Sequence, residues 1–147
     1  MTSIHVTEIA AAIAGLDIPG VRIKDLDQMP DAVDTRDLPM LGPSAQNPTF
    51  LTDWESVRIT TAGNRQISYT LNYTLFQAPV GADRGLFKQY PAMVATAEAV
   101  ADVFNSITVV SGAQHIKLAA MPVFGPVRDA SEQLFHGATI ALRVTEF

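Results

Sequence analysis

The stretch Ile67-Ser-Tyr-Thr-Leu-Asn-Tyr-Thr-Leu75 decides the fold, because large apolar or aromatic residues alternate along it with small polar ones. Successive side chains of a β-strand point to opposite faces, so this pattern predicts one long strand with a single buried face. The predicted buried face carries Ile67, Tyr69, Leu71, Tyr73 and Leu75. The opposite face carries no formal charge and consists of Gln66, Ser68, Thr70, Asn72 and Thr74.

Two helices are expected, and the second should cover the buried face. It is predicted from near Pro91, which suits a first helical position, to about Ser106. Its apolar stripe recurs at helical spacing through Met93, Ala97, Val100, Phe104 and Ile107. The first helix is predicted between the possible caps Thr2 and Ser3 and a stop at Gly15. Its apolar side consists of Val6, Ile9, Ala10 and Ile13.

Four further strands are indicated by shorter alternating patterns. Val21–Ile23 predicts a short strand, and Ser56–Thr60 predicts the partner of the long strand in an antiparallel hairpin. Val57 and Ile59 should share the buried face, so odd positions must pair with odd ones and the hairpin loop needs three or five residues. After the second helix, Pro122 and Gly125-Pro126 separate two more alternating segments, one with Ile116, Leu118 and Ala120 and one with Ile140, Leu142 and Val144.

This order of elements predicts the α+β class, with helices against one face of an antiparallel sheet. We expect about four to five strands, two helices packed on one face, and a single domain over residues 1–147.

Residues 27–53 are predicted to form one long extended loop. Pro30, Pro39, Pro43 and Pro48 oppose both helix and central strand. The segment is nevertheless apolar in places, which suggests docking onto another surface, so we expect it to be mobile in the isolated subunit and ordered only against a partner. The predicted interface residues are Leu38, Met40, Leu41, Phe50, Leu51 and, just beyond the loop, Trp54, which as a single aromatic residue is typical of a core or an interface.

Composition narrows the function classes. The formal net charge of -5 and the pI near 5.0 argue against a protein that grips nucleic acid by neutralising phosphates. Charged residues make up 17% of the chain, below the roughly 25% of ordinary domains, which hints at polar-neutral surface hidden between subunits. There is no cysteine, which leaves the redox compartment open. The amino terminus has no basic region, its first Lys or Arg being Arg22, and no apolar run has membrane length, so we expect a protein that is cytosolic where it is made and has no membrane partner.

The sequence offers no strong catalytic motif. His5, His115 and His136 lack metal-ligand spacing. Asp129, Glu132 and His136 could form an acid–base cluster, but residues of this kind in a turn usually face solvent. We therefore predict no enzyme activity, no catalytic or metal-binding residue and no cofactor.

Three further segments carry a resemblance to a known family: Phe50-Leu-Thr-Asp-Trp-Glu55, Phe87-Lys-Gln-Tyr-Pro-Ala-Met-Val94 continuing through Val100, and Phe135-His-Gly-Ala-Thr-Ile140 with the final Val144-Thr-Glu-Phe147. In this order they resemble the tail terminator, or tail completion, proteins of long-tailed bacteriophages. The resemblance implies a virion protein that forms a six-membered ring on the tail tube, stops tail growth and meets the head-side connector. It implies no catalytic residue.

The partners implied are further copies of the chain, the tail tube protein and the connector or stopper protein, in the neck end of a tail assembled in the host cytoplasm. If Ser68, Thr70, Asn72 and Thr74 face the lumen, DNA would pass without specific binding, because neutral walls make few ion pairs with phosphate. Another neck, head–tail joining or tube-like ring protein is the alternative. A small acid–base enzyme or a ligand-binding domain is the alternative from another class.

Overall fold

The computed structural model describes residues 6–44, 51–59, 65–80, 86–104, 108–110 and 114–146, of which 51–59, 65–67, 86–89, 108–110 and 114 are described by their backbone. The helices are α1 (Val6–Ala14) and α2 (Leu86–Phe104), with a short 3-10 helix at Thr35–Asp37. The strands are β1 (Arg22–Ile23), β2 (Met40–Pro43), β3 (Leu51–Ile59), β4 (Arg65–Pro79), β5 (Thr108–Val110), β6 (Gln114–Leu118), β7 (Val123–Arg128) and β8 (Leu134–Glu146).

The α+β class is confirmed, with all described strands in one sheet. The order of hydrogen-bonded neighbours in the sheet is β1-β2-β4-β8-β6-β5. In addition, β3 pairs with another part of β4, and β7 pairs with another part of β8. The two long strands β4 and β8 are antiparallel neighbours in the middle, from Ile67 opposite Glu146 to Pro79 opposite Phe135. Shorter strands occupy both outer edges of this central ribbon. The sheet is mixed and not purely antiparallel, because β1 pairs in parallel with β2.

One face of the sheet is buried under apolar residues of the helices, as the alternation in β4 predicts. Tyr69, Leu71, Tyr73 and Leu75 have no exposed surface. They belong to one core cluster with side chains from both helices and from β8, namely Ile9, Ile13, Val100, Phe104, Ala138, Ile140, Leu142 and Val144. The predicted helical stripe of α2 is confirmed at Met93, Ala97, Val100 and Phe104, whereas Ile107 and the caps Thr2 and Ser3 lie outside the described residues. We call this the helix face.

The opposite face has a second, smaller core at one end. Met40 pairs with Phe76 across β2 and β4, and Phe76 and Phe135 meet edge to face with ring centroids 5.4 Å apart. Strand alternation places Met40 and Phe76 on the face opposite Leu41 and Leu75. The chain between β1 and β2 covers this core with side chains that include Met29, Val33 and Leu38. A crossover is needed between parallel neighbouring strands, and here it forms the cover.

The prediction of one continuous loop over residues 27–53 is therefore wrong in two places. Met40–Pro43 forms β2 and Leu51–Asp53 begins β3, while residues 45–50 lie outside the described residues. The backbone groups of even-numbered residues at this strand point toward β4, as shown by the hydrogen bond from Ser44 N to Asn72 O. The backbone groups of odd-numbered residues point toward β1, as shown by the hydrogen bond from Lys24 N to Leu41 O. The missing N–H of Pro43 thus falls beyond the end of β1.

Two other proline predictions are also corrected. Helix α2 begins at Leu86, so Pro91 lies inside it and not at its start. The Gly125-Pro126 pair was predicted to lie in the break between two strands, but it lies within a further strand, β7. Strand β7 pairs only with β8 among the described residues, and an edge strand tolerates proline. Strands β2, β5 and β7 were not predicted, so the described residues form eight strands where about four to five were expected.

The predicted hairpin register is confirmed. Val57 lies opposite Ile67 and Ile59 opposite Arg65, so odd positions pair with odd ones and five residues connect the strands. The register shifts at two places further along β3, next to Ser56 and next to Asp53. The short strand at Arg22–Ile23 and the stop of α1 before Gly15 are confirmed as well.

Gly137 tests the close packing of the central ribbon. A Cβ there would meet the Leu75 carbonyl oxygen and lie 2.8 Å from Val127 Cγ2, whereas a Cβ on Gly125, directly opposite in β7, would meet nothing within 4 Å. We expect Gly137→Ala to lower the free energy of unfolding by about 2–3 kcal/mol, because backbone cannot yield as a side chain can. Gly125→Ala is the matched control and should change it by less than about 0.5 kcal/mol. Urea titration measures both, and equal effects would contradict the packing.

Candidate interaction surface

The helix-free face of the central ribbon is polar beyond the second core. Paired residues share a face, so the register groups Ser68 with Thr145, Thr70 with Arg143, Asn72 with Ala141 and Thr74 with Thr139. Strand β6 extends this surface, because His115 lies opposite Thr145 and Lys117 opposite Arg143. We call this surface the polar sheet face; its members are Ser68, Thr70, Asn72, Thr74, His115, Lys117, Thr139, Ala141, Arg143 and Thr145.

The four residues predicted to face a lumen lie side by side on the polar sheet face, but they are recessed within it. Ser68 and Asn72 are 8% and 7% exposed, and Thr70 and Thr74 are half-buried. Thr74 shares a hydrogen bond with Ser44, with the hydroxyl oxygens 2.7 Å apart. The side chains that protrude come from the neighbouring strands, with Thr139, Arg143 and Lys117 exposed.

Sequence reasoning missed the two cations on this face. The long strand itself is uncharged there, yet pairing with β8 and β6 adds Arg143 and Lys117 to its surroundings. The signal was present in β8, where Arg143 alternates with the buried Leu142 and Val144. It could not be used because the order of strands in the sheet was not predicted.

The predicted interface residues do not form one exposed surface. Met40 and Leu41 are fully buried in this chain, on opposite faces of β2, and this corrects their assignment to a docking surface. Leu38 is partly buried against the second core. Phe50 lies outside the described residues, as do the side chains of Leu51 and Trp54.

Asp129 holds the cover segment onto the β7–β8 turn. One carboxylate oxygen, Oδ2, accepts from the backbone N–H of Val33 at 3.0 Å, across 96 residues of sequence. The other, Oδ1, accepts from Ser131 Oγ at 2.6 Å and from Gln133 N at 2.9 Å. Ser131 N in turn donates to the Asp31 carbonyl. We call this set of bonds the Asp129 clamp.

The clamp explains both the burial and the ionisation of Asp129, which is 2% exposed. Burial alone would raise the pKa of its carboxyl group, but hydrogen bonds from Ser131 and from the backbone of Val33, Gln133 and Ser131 favour the charged form more strongly. The pKa therefore lies below its ordinary value. The geometry gives Asp129 a structural role within a turn, where Glu132 is exposed at a positive φ of 70° and His136 is half-buried in β8.

A second buried carboxylate lies on the helix face at the opposite end of the ribbon. Glu146 is 1% exposed, and the Tyr69 hydroxyl donates to its Oε2 at 2.8 Å. Burial, followed by this hydrogen bond and the charge of Glu146, raises the pKa of Tyr69. The neutral phenol is therefore the form that the folded chain prefers.

Apolar side chains are exposed where β6 passes into β7. Met121 is 83% exposed and Val123 68%. The hydrogen bond from Asp129 N to Gln133 O shows that the backbone groups of odd-numbered residues in β7 point toward β8. The nitrogen of Pro126 therefore points away from β8, toward the outer edge of the strand, and carries no N–H. A proline on the open side of an edge strand opposes pairing with another chain.

Asp129→Asn tests the clamp. The amide keeps one acceptor but turns a nitrogen toward an N–H donor, and each buried donor left unpaired costs about 1–3 kcal/mol. We expect the free energy of unfolding to fall by about that amount at neutral pH. Because the folded-state pKa is depressed, the contribution is present above the ordinary carboxyl pKa of roughly 3.9 and is lost as pH falls through the lower folded-state value. The wild type and the variant should therefore converge in acid.

Limited trypsin digestion provides an independent readout. Release of the cover segment in Asp129→Asn should speed cleavage after the exposed Arg36. Asp31→Asn is the control, since Asp31 is exposed and accepts from Ser131 through its backbone carbonyl. Identical behaviour of the two variants would show that the Asp129 carboxylate does not secure the segment.

Tyr69→Phe tests the buried Tyr69–Glu146 bond. Loss of the donor should lower the free energy of unfolding by about 1–3 kcal/mol. The raised pKa of Tyr69 contributes stability that is complete below the ordinary tyrosine pKa of about 10 and is lost as pH rises through the folded-state value. The variant should lack this alkaline loss. Tyr90→Phe, at a ring that is 46% exposed, should change stability by less than about 0.5 kcal/mol; an equal effect would argue against the bond.

Among the described residues, no group of three or more histidine and carboxylate side chains is arranged to hold a metal ion. In the same part of the chain, neither helix is long and apolar enough to cross a membrane. No protein-family model and no curated protein matches the sequence.

Proposed function

We propose that this chain is a structural virion protein whose copies form a ring, of six subunits by the family resemblance, that caps the tail tube of a long-tailed phage. The ring stops tail growth and joins the tail to the head-side connector or stopper protein. It belongs to the neck end of the virion tail and is assembled in the host cytoplasm. The observation that carries the proposal is the polar sheet face, which lies on the side of the central ribbon opposite the helix face and beyond the second core.

The two faces of the ribbon support this arrangement. The helix face is filled by α1 and α2, and we take both helices to pack on that one side because their apolar residues share one cluster. The polar sheet face carries mostly small hydroxyl, amide and methyl side chains, together with His115, Lys117 and Arg143, and none of its members is a phenylalanine, tyrosine or tryptophan. Large aromatic residues are prominent anchors of protein interfaces, so a face whose members include none suits a channel wall better than a tight contact.

In this proposal Ser68, Thr70, Asn72 and Thr74 belong to the lumen wall, and DNA passes them without sequence-specific binding. The tail tube protein and further copies of the chain then contact other surfaces. Exposed apolar side chains available for such contacts among the described residues include Leu26, Tyr90 and Met121. A different neck, head–tail joining or tube-like ring protein would use the same two faces and remains the second candidate.

A small enzyme is the rival class. The residues weighed for acid–base chemistry do not support it, because both oxygens of Asp129 accept hydrogen bonds from the turn and from Val33. A carboxylate held in this way supports backbone geometry. We therefore propose no enzyme activity.

The mass of the purified protein tests the assembly. Light scattering should give about 95 kDa for six copies of the 15.8 kDa chain, and electron micrographs should show rings. His136→Gln should keep this mass and still support tail formation in a complementation assay. A monomer at every concentration, even with tail tubes present, would overturn the proposal. Loss of function in His136→Gln with rings intact would favour the enzyme.

A further inference from the structure

The polar sheet face places two cations next to each other. Lys117 of β6 and Arg143 of β8 lie directly opposite, and both side chains are exposed. Directly opposed residues have Cβ atoms about 4.5–5.5 Å apart, and like charges at this spacing destabilise a sheet. The row continues through Thr70 of β4 to Asp53 of β3. Asp53 is acidic and occupies the end of the row opposite Lys117.

This pair stands out against the charge of the whole chain. The formal net charge is -5, with 15 acidic and 10 basic residues. On the polar sheet face the register positions of β4, β6 and β8 carry no carboxylate, and the acidic register position in the row of Lys117 and Arg143 is Asp53 of β3. An acidic protein that keeps two cations together on one face has a surface complementary to a polyanion.

We infer that Lys117 and Arg143 form a contact site for the phosphate backbone of duplex DNA. The choice of DNA as the polyanion rests on the proposed function, in which this face lines the DNA channel. The neighbouring hydroxyls suit the same ligand, because serine and threonine side chains commonly donate to phosphate oxygens. Thr70 and Thr145 adjoin Arg143 across the strand and along it, and Thr139 is exposed two positions beyond Ala141.

The site is weak by construction, and this agrees with passage of DNA. Each phosphate neutralised contributes about -0.9 to the slope of log affinity against log salt, so two cations per subunit give about -1.8 for a single subunit in contact. Lys117 should contribute more than Arg143, because Asp53 occupies the same row on the side of Arg143. The contact reads no base, so it guides the duplex and does not fix its position.

The test uses the full-length protein in its assembled form and a short, fluorescently labelled DNA duplex of mixed sequence. Binding anisotropy is measured between about 25 and 200 mM salt for the wild type, Lys117→Gln, Arg143→Gln and Lys117→Arg. Arg36→Gln is the matched control, since it removes the same charge from an exposed residue that pairs with Asp34 away from this face. Light scattering on every variant separates loss of binding from loss of assembly.

We expect the magnitude of the salt slope to fall by about 0.9 per contacting subunit in Lys117→Gln, by less in Arg143→Gln, and not at all in Lys117→Arg or Arg36→Gln. Equal slopes in all variants, or no DNA binding at the lowest salt, would overturn the site while leaving the ring assignment standing. Competition by polyglutamate as effective as that by unlabelled DNA would assign the face to an acidic protein and also overturn it. A monomeric mass with the expected slopes would reject the ring and keep the DNA contact.

Discussion

The pairing of β4 with β8 is the constraint on which the rest of the structure depends. These strands share twelve register positions, and alternate residues along both of them are fully buried on the helix face. A shift of one residue would move every one of these side chains to the other face. Both helices, the positions of β2, β3, β6 and β7, and the composition of the polar sheet face all follow from this one register.

The second core shows how the chain manages the other face. Phe76 and Phe135 would be exposed if the ribbon stood alone, and the crossover between β1 and β2 covers them. Close packing there has specific requirements: a Cβ at Gly42 would meet the Met29 side chain, and the Asp129 clamp secures Val33. The cover side chains Met29, Val33 and Leu38 pack at the Phe76–Phe135 end, so one face of a single sheet is divided into a sealed apolar end and a polar end.

Sequence patterns predicted the parts of this fold that depend on local periodicity. The buried faces of β4 and α2 and the parity of the β3–β4 hairpin follow from spacing alone. Proline misled the prediction at Pro43 and Pro126, because the cost of a missing N–H depends on whether a partner strand is present on that side, which only tertiary structure decides. Pro91 was taken for the start of α2, whereas the helix begins at Leu86. The crossover was taken for an exposed arm because its partners, Phe135 and Asp129, lie about 100 residues away in sequence. The cations of the polar sheet face were missed because cross-strand neighbours require the strand order.

The proposed ring and the phosphate contact give the divided face a single interpretation. The sealed end stabilises the subunit, and the polar end is a long, small-residue surface with two cations beside it. Electron cryo-microscopy of the assembled protein is the most direct measurement of this account. It predicts a closed ring in which Thr70, Thr139 and Lys117 face the central axis and α1 and α2 lie on the outside. A ring whose axis is lined by the helices, or one in which the polar sheet face is buried between subunits, would contradict it.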